Sequence, residues 1–354
     1  MSLLTVRFAE QKQKTYKSHR PVHLKVILTN TSNRDLSVLT WNTPLDDIVT
    51  DCLQVTRNGK TVKYDGPLVK RGLPTAKDYV TIKAGQSVET KFPVSAAYDT
   101  SQPGTYQVKL KSPIPDVVPS VTGLAKMLRT ANRAPTMEAI SHKTTFKVKR
   151  GRGKTLTLGA AARNMEKKMK GKARKPSLMT ALAGKKKPLL KAALPSLTSG
   201  GTATKKKAAL RAHADGYDLT VKALTTLKDN AHYLEWFGAH STKRFTKVKA
   251  NYTAVQTRME TIRFTYNLTG HGCGAGVFAY TYKGTSTIWF CSQFWAAPAK
   301  GTDSKAGTVV HEHTHSDAST DDIQYGQAGA RNLAASNPND AIRNADNHEY
   351  FAGG

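Results

Sequence analysis

Short runs of alternating apolar and polar residues fill much of the first 150 positions. Val22–Leu28 shows the pattern of a strand with one buried face. Similar runs follow at Leu36–Thr40, Leu53–Arg57, Tyr79–Lys83, Val88–Val94, Tyr106–Leu110 and Thr144–Val148. Turn-forming sequences such as Asn58-Gly59 and Gln102-Pro103-Gly104 separate the runs. Several short strands at this spacing predict a β-sandwich.

Helical periodicity appears in the last third of the chain. One apolar face repeats at intervals of three and four along Phe245, Val248, Tyr252, Val255, Met259 and Ile262. Leu219–Leu227 indicates a preceding helix, and Val277–Tyr282 and Thr287–Phe290 are predicted to be strands. The capping residues Thr302-Asp303-Ser304 predict the start of another helix over Ala306–His315.

The positive charge is distributed unevenly and divides the chain into three parts. Of the formal charge of +29, residues 1–150 carry +13, residues 151–207 carry +15 and residues 208–354 carry +1. The middle part contains Lys185–Lys187 and Lys205–Lys207 among Gly, Ser, Thr and Pro, with short helical pieces expected around Leu158–Met169. This composition predicts a Lys-rich linker between a β-sandwich at 1–150 and a third domain at 208–354.

Nucleic acid is an improbable partner for this linker, although its charge first points there. The segment 151–207 contains no aromatic residue that could stack on bases. Nor does the sequence contain an apolar run approaching 18 residues, so no membrane span is predicted.

The chain has three cysteines. Cys273 and Cys291 flank an apolar, aromatic stretch and are predicted to form a disulfide, with two buried thiols as the alternative. Cys52 lies in a strand-like alternation, which predicts a buried thiol.

A pair of histidines lies in the helix predicted near residue 306. His311-Glu312-His313-Thr314-His315 contains the pattern His-Glu-x-x-His. Residues i and i+4 share a helix face, so His311 and His315 can present imidazole nitrogens about 2 Å from one Zn²⁺. Glu312 is one step round the helix and can reach a water beside the metal, which suits a general base. His313 points elsewhere and is predicted to be incidental.

A catalytic zinc needs a third protein ligand. Asp317, Asp321 and Asp322 are the candidates downstream. Asp317 lies only two residues after His315 and would require a sharp break in the helix, so Ser319–Gly326 is the better source. From the residues alone, Asp321 and Asp322 both remain candidates.

The residues around the histidine pair resemble those of a known peptidase family. His-Glu-x-x-His followed by Thr-x-Asp-x-x-Tyr-Gly resembles the aspzincin metallopeptidases, the deuterolysin family, and especially the peptidyl-lysine metalloendopeptidases. The resemblance extends over much of 208–354. It includes Tyr233–Gly238, Phe294–Pro298, Gly301–Thr308 and Asn344–Phe351. The front half resembles the amino-terminal region of longer family members.

The resemblance implies a role for each residue of the motif. It implies His311, His315 and Asp322 as ligands of one Zn²⁺, Glu312 as the base, and Tyr325 as the hydroxyl donor to the oxyanion. A closed structural zinc site is the alternative, in which Glu312 and Tyr325 would have no purpose.

Asp346 and Glu349 form a second cluster, because residues three apart share a helix face. In the lysine-specific relatives, acidic residues at matching positions bind the lysine side chain that follows the scissile bond. The resemblance therefore implies substrate binding by these two acids. Ordinary surface acids on an exposed helix are the alternative.

Together these observations predict a multidomain α+β protein. Its parts are an immunoglobulin-like β-sandwich, a basic linker and a mostly helical zincin-type metallopeptidase domain with a small β-sheet. We expect a secreted zinc endopeptidase that acts on lysine-containing proteins and peptides, although Met1–Lys17 shows no standard signal region. The front half and linker are predicted to form the propeptide of a zymogen, with the linker itself as a substrate in cis. The alternative is a cationic protein that binds anionic polymers and carries an inactive peptidase-like domain.

Overall fold

The computed structural model describes residues 3–10, 13–111, 114, 116–118, 139–170, 192–198 and 200–353. The chain forms two compact units. The first unit comprises Met1–Pro67 and Pro74–Ala162, and the second comprises Leu68–Leu73 and Arg163–Gly354. A short segment from the front half of the sequence therefore belongs to the second unit.

The described part of the chain contains both strands and helices. In chain order its strands are β1 (Leu4–Phe8), β2 (Thr15–Lys17), β3 (Leu24–Asn30), β4 (Leu36–Leu39), β5 (Leu53–Arg57), β6 (Lys60–Thr61), β7 (Leu68–Arg71), β8 (Tyr79–Ile82), β9 (Ser87–Phe92), β10 (Gly104–Leu110), β11 (Val117–Val118), β12 (Ala139–Ser141), β13 (Thr144–Lys149), β14 (Ser196–Leu197), β15 (Thr265–Asn267), β16 (Val277–Thr281) and β17 (Thr287–Phe290). Its helices are α1 (Val94–Ala97), α2 (Leu158–Lys170), α3 (Ala203–Thr226), α4 (Ala231–Phe237), α5 (Thr242–Thr261), α6 (Ser292–Ala296), α7 (Lys305–Ala318), α8 (Gly326–Ser336), α9 (Pro338–Ala341) and α10 (Ala345–Ala352), and a single 3₁₀ turn spans Ala76–Asp78.

The first unit is a β-sandwich. One sheet has the strand order β12-β1-β3-β9, a second has the order β2-β13-β10-β5-β6, and a smaller third sheet has the order β11-β4-β8. Alternate residues of β10 point inward, so that Tyr106 and Val108 are buried in one core with Val26 and Leu28 of β3. Each such side chain contributes about 1.5–3 kcal/mol when it leaves water. The β-sandwich predicted for the front half is confirmed.

Cys52 lies in this same core as a free, buried thiol. Burial raises the pKa of the thiol well above its ordinary value. The predicted buried cysteine is therefore present, and its protonated sulfur packs as a small apolar group.

A five-stranded sheet of order β14-β15-β17-β16-β7 lies in the second unit. The strands β14, β15 and β17 run parallel, and β16 runs antiparallel to both β17 and β7. The strands β16 and β17 match the two strands predicted here. The edge strand β7 was not predicted, because Leu68–Arg71 is buried at every position and shows no alternation.

Helix α7 crosses the middle of the second unit and packs against α3, α5 and α10. It begins where the capping residues predicted it would, and the Ser304 hydroxyl accepts the backbone N–H of Gly307 at 3.0 Å. Gly216 of α3 allows close packing, because a Cβ there would lie 2.8 Å from a methyl group of Val309. The amphipathic helix predicted from Phe245 to Ile262 corresponds to α5.

The Lys-rich middle region is partly helical. Helix α2 matches the helical piece expected there, and Lys205–Lys207 lies in the first two turns of α3. Lys185–Lys187 lies outside the described residues. The division at residues 150 and 207 remains a prediction.

Cys273 and Cys291 form a disulfide in the second unit, as predicted. In the described part of the chain, no helix is long and apolar enough to cross a membrane.

Candidate metal centre and lysine pocket

Helix α7 presents His311 and His315 on one buried face. Both side chains are fully buried, and their Nε2 atoms lie 3.0 Å apart. The spacing of four residues in a regular helix produces this convergence. Two imidazole lone pairs that face each other at this distance repel unless a proton or a metal ion lies between them.

Asp322 completes the group from the segment that follows α7. The helix ends at Ser319 in a left-handed conformation (φ 60°), and the chain turns back beneath the histidines. The Asp322 Oδ1 atom lies 3.2 Å from His311 Nε2 and 3.1 Å from His315 Nε2. Ligand atoms about 2 Å from a tetrahedral zinc ion are separated by about 3.3 Å. The three residues therefore fit zinc.

Asp321 points away from this group. Its carboxylate pairs with Lys283 and Arg343. Burial would raise the pKa of Asp322, but the charges and hydrogen bonds of His315 and His311 lower it well below its ordinary value. Of the two neighbouring aspartates, only Asp322 meets the histidines.

The other nitrogen of each histidine faces an oxygen. His311 Nδ1 lies 2.8 Å from Asp346 Oδ1, and His315 Nδ1 lies 3.1 Å from the Thr320 carbonyl oxygen. Such contacts orient a metal-binding ring and direct its second nitrogen at the metal.

Glu312 lies beside the group without joining it. Its side chain is fully buried, and neither carboxylate oxygen has a side-chain hydrogen-bond partner among the described residues. The backbone N–H of Lys70 lies near enough to lower the pKa of Glu312 slightly. Burial raises the pKa of this carboxyl, and the nearby charges of His311 and Lys70 only partly oppose the effect. A buried carboxylate that has no side-chain partner and lies beside a metal centre is suited to accept a proton.

Tyr325 is the residue that immediately precedes α8, three positions after Asp322, and is partly buried. The next residue, Gly326, has a φ of 73°, and its backbone N–H donates to Asp346 Oδ2 at 2.6 Å. The turn that carries Tyr325 is thus attached to Asp346 of α10.

Asp346 and Glu349 are fully buried in α10, so they are not surface acids. They enclose the ammonium group of Lys70, which comes from β7. The Lys70 Nζ atom lies 2.6 Å from Glu349 Oε2, 3.7 Å from Asp346 Oδ1 and 3.0 Å from Asp303 Oδ1. We call these three carboxylates, Asp303, Asp346 and Glu349, the lysine pocket.

Two aromatic rings border the lysine pocket. Lys70 Nζ lies 5.4 Å from the centre of the Phe278 ring and 5.6 Å from that of Tyr350, within cation–π range. The Tyr350 hydroxyl donates to Asp303 at 2.9 Å. Burial lowers the pKa of Lys70, but the charges of the pocket outweigh it and raise the pKa above its ordinary value. The lysine is therefore a cation.

His311 connects the histidine group to the lysine pocket, because its Nε2 atom lies 3.2 Å from Asp322 Oδ1 and its Nδ1 atom lies 2.8 Å from Asp346 Oδ1. His311, Asp346 and Glu349 also lie close enough to bind a metal, but the Lys70 ammonium lies beside both acids. The structure therefore contains two adjacent positions for positive charge, one suited to a metal and one occupied by an ammonium.

Sequence reasoning missed two of these residues. Asp303 was interpreted only as part of a helix cap, and Lys70 lies more than 230 positions before the acids it meets. The only sequence feature that marks Asp303 is its position directly before the capping residue Ser304. No local pattern could have identified Lys70.

His313 and His348 lie apart from both positions. His313 Nδ1 lies 2.8 Å from Asp317 Oδ2, and its ring contacts Phe264 at 4.2 Å between centres. Burial lowers the pKa of His348 to about 4, and the neutral ring lies beside Asn251. Both histidines pack the interior.

Comparisons with known proteins follow the same division of the chain. The profile of the aspzincin M35 family, described as lysine-specific metallo-endopeptidase, matches residues 223–353. An immunoglobulin-like domain profile matches residues 11–121.

Known relatives match almost the whole chain. An "Extracellular protease" of Aeromonas hydrophila is 33% identical over 338 residues, which cover 94% of this chain and 87% of the relative. A "Peptidyl-Lys metalloendopeptidase" of Grifola frondosa is 29% identical over 351 residues, which cover 93% of this chain and 88% of the relative. Among solved structures, a zinc peptidase from Grifola frondosa is 34% identical and covers 43% of this chain and 96% of its own, with a TM-score of 0.40.

Replacing His313 should separate packing from metal binding. We expect His313→Ala to lower the free energy of unfolding by about 2–4 kcal/mol, because it leaves a cavity and removes the ring that contacts Asp317 Oδ2, yet to retain bound zinc. His315→Ala is the matched variant and should lose the zinc. Urea unfolding and zinc analysis after dialysis measure both effects, and loss of zinc from His313→Ala would contradict this assignment.

Proposed function

The chain belongs to the aspzincin family of zinc metalloendopeptidases, and we propose that it cuts peptide bonds on the amino side of lysine residues with Glu312 as the general base. The observation that carries the lysine preference is the position of Lys70. A lysine ammonium of the chain itself lies among three carboxylates, next to the residues suited to bind zinc.

The proposed zinc ligands are His311, His315 and Asp322. Zinc bound there would supply Lewis acidity, which makes a nearby water more acidic and polarises the scissile carbonyl. The protein's part is to orient the three donors, which it does through the contacts of the histidine Nδ1 atoms with Asp346 and Thr320.

Glu312 is proposed to move the proton. Its buried carboxylate, which has no side-chain partner, can take a proton from the attacking water and deliver it to the nitrogen of the leaving amine. Its raised pKa suits a group that must both accept and return a proton. We assign Tyr325 to donate a hydrogen bond to the developing oxyanion, a contribution often worth about 3 kcal/mol.

The pocket would select lysine by charge. Asp346 and Glu349 are buried and have lost their water shells. A side chain long enough to bring a positive charge to both carboxylates therefore stabilises them most. An apolar side chain in the same place would leave carboxylates unpaired, which is strongly unfavourable. The preferred substrates are therefore lysine-containing proteins and peptides.

We further propose that the enzyme acts outside the cell and processes its own Lys-rich linker. An extracellular relative and the Cys273–Cys291 disulfide support the location. Processing near Lys205–Lys207 would require the start of α3 to open, since a helix must extend before it can be cut. The front half and linker would then serve as the propeptide of a zymogen.

Removing the base should stop hydrolysis without removing the metal. We expect Glu312→Gln to lower kcat on a lysine-containing peptide by at least about 10³-fold, because water loses its proton acceptor. Zinc content should match that of the unmodified enzyme. Glu235→Gln, a partly exposed control acid paired with Arg331, should keep full activity. Substantial turnover by Glu312→Gln would exclude the proposed role.

Removing the pocket's charge should alter the choice of bond. We consider the ratio of kcat/KM for a lysine peptide to kcat/KM for the matching norleucine peptide. We expect Glu349→Gln to lower this ratio by about 10-fold or more, and the pair Asp346→Asn with Glu349→Gln to lower it further. Mass spectrometry of fragments from a denatured protein measures the preference. Zinc analysis is needed beside it, because Asp346 contacts His311. Asp340→Asn is the control, because this half-buried acid pairs with Arg343 and lies outside the pocket. Unchanged site preference in the double variant would exclude the pocket as the source of the preference.

Self-processing should depend on Glu312. The zinc-loaded full chain is expected to generate new amino termini that begin with lysine, within residues 185–207. Glu312→Ala should remain intact, because it lacks the proton acceptor. Gel electrophoresis and amino-terminal sequencing follow the reaction, and processing of Glu312→Ala at the same rate would rule out self-cleavage.

A further inference from the structure

The strand β7 is bound to the catalytic unit in the manner of a peptide ligand. Leu68–Arg71 adds an antiparallel strand to the free edge of β16, pairing Val69 with Tyr280 and Lys70 with Ala279. Addition of an extended strand to a sheet edge is a recurrent way to bind peptides, in which the main chain gives affinity and side-chain pockets give selectivity. All four residues of β7 are buried.

The side chain of Lys70 occupies the lysine pocket. It is fully buried, and its ammonium lies within 4 Å of all three pocket carboxylates. A buried ammonium loses its hydration, so it persists only with close and well-placed anions. A strand that served only to extend the sheet would gain more from an apolar residue at this position. The chemistry of the pocket is thus matched to the residue that occupies it.

The backbone of β7 meets the metal centre. The N–H of Val69 donates to Oδ2 of Asp322 at 2.6 Å, while the oxygen Oδ1 of the same carboxylate faces the two histidines. The backbone of Val69 therefore contacts a residue of the metal centre, while the side chain of the next residue, Lys70, lies in the lysine pocket. This is the register that an enzyme selective for lysine after the cut imposes on its substrate.

We propose that Leu68–Arg71 is an internal ligand of the active site, anchored by Lys70 in the lysine pocket, which excludes lysine-containing substrates until it is displaced. This inference rests on the proposed lysine selectivity of the pocket. Because β7 belongs to the same chain as the site, it competes with separate substrates at a high effective concentration, on the order of millimolar. It therefore needs no unusually high affinity for the site. Even with zinc bound, the full chain would accordingly cut lysine-containing substrates, its own linker included, only in those molecules in which β7 has left the site.

Peptide binding tests this competition directly. The zinc-loaded Glu312→Ala full chain, which binds without cutting, is titrated by fluorescence anisotropy with a labelled peptide that has one central lysine. We expect the additional change Lys70→Gln to lower the Kd of this peptide at least tenfold. Lys63→Gln, which alters an exposed lysine seven positions earlier, should leave the Kd unchanged. An unchanged Kd in the folded Lys70→Gln chain would overturn the proposal.

A matched peptide separates this inference from the proposed function. A peptide with norleucine in place of lysine should bind the Lys70→Gln chain at least tenfold more weakly than the lysine peptide does, because its side chain leaves the pocket carboxylates unpaired. Should both peptides bind the Lys70→Gln chain equally well, the pocket does not select lysine, and the proposed function fails together with the inference. If lysine is selected but Lys70→Gln has no effect, only the internal ligand is disproved.

Hydrogen exchange provides a readout that needs no change at Lys70. In the zinc-loaded Glu312→Ala chain, amides of residues 68–73 should exchange slowly, and a bound lysine peptide should accelerate their exchange severalfold. The norleucine peptide at the same concentration should not. Anisotropy shows whether the lysine peptide is bound. If the amides of residues 68–73 still exchange slowly when it is bound, the peptide does not displace β7, and the proposal is contradicted.

Discussion

Carboxylates that are buried together require positive charge, and this requirement organises the second unit. Asp322, Asp346 and Glu349 converge around α7, where Asp346 and Glu349 are fully buried and the side chain of Asp322 is only 8% exposed. Isolated buried anions of this kind would cost several kcal/mol each. The fold provides one position suited to zinc at Asp322 and one occupied by an ammonium at Asp346 and Glu349. His311 lies between them, with one ring nitrogen toward each position.

The remaining architecture serves to keep these groups in register. The helix α7 places its two histidines on one face, and close packing against α3 at Gly216 fixes the helix in the interior. The turn after Ser319 returns Asp322 to that face. On the other side, the acids of α10 orient the His311 ring and attach the turn at Gly326. A change in any of these elements would move both the metal position and the lysine pocket, because His311 contacts Asp322 on one side and Asp346 on the other.

Local patterns predicted much of this site, and long-range pairing accounts for what they missed. The helix cap at Ser304 and the spacing of His311 and His315 act over a few residues, so the sequence reveals them. The pairing of Asp321 with Lys283 and Arg343, which distinguishes it from Asp322, involves residues far apart in sequence. The strand β7 is the extreme case. It is short, uniformly buried and paired to β16 across some 200 residues, so neither periodicity nor spacing marks it.

The position of the metal tests this account most directly. Anomalous diffraction at the zinc edge from crystals of the zinc-loaded Glu312→Ala chain would locate the ion. The account predicts one zinc ion between His311 Nε2, His315 Nε2 and Asp322, with the Lys70 ammonium still in the lysine pocket. Zinc bound instead between His311 Nδ1, Asp346 and Glu349, with Lys70 expelled, would contradict it.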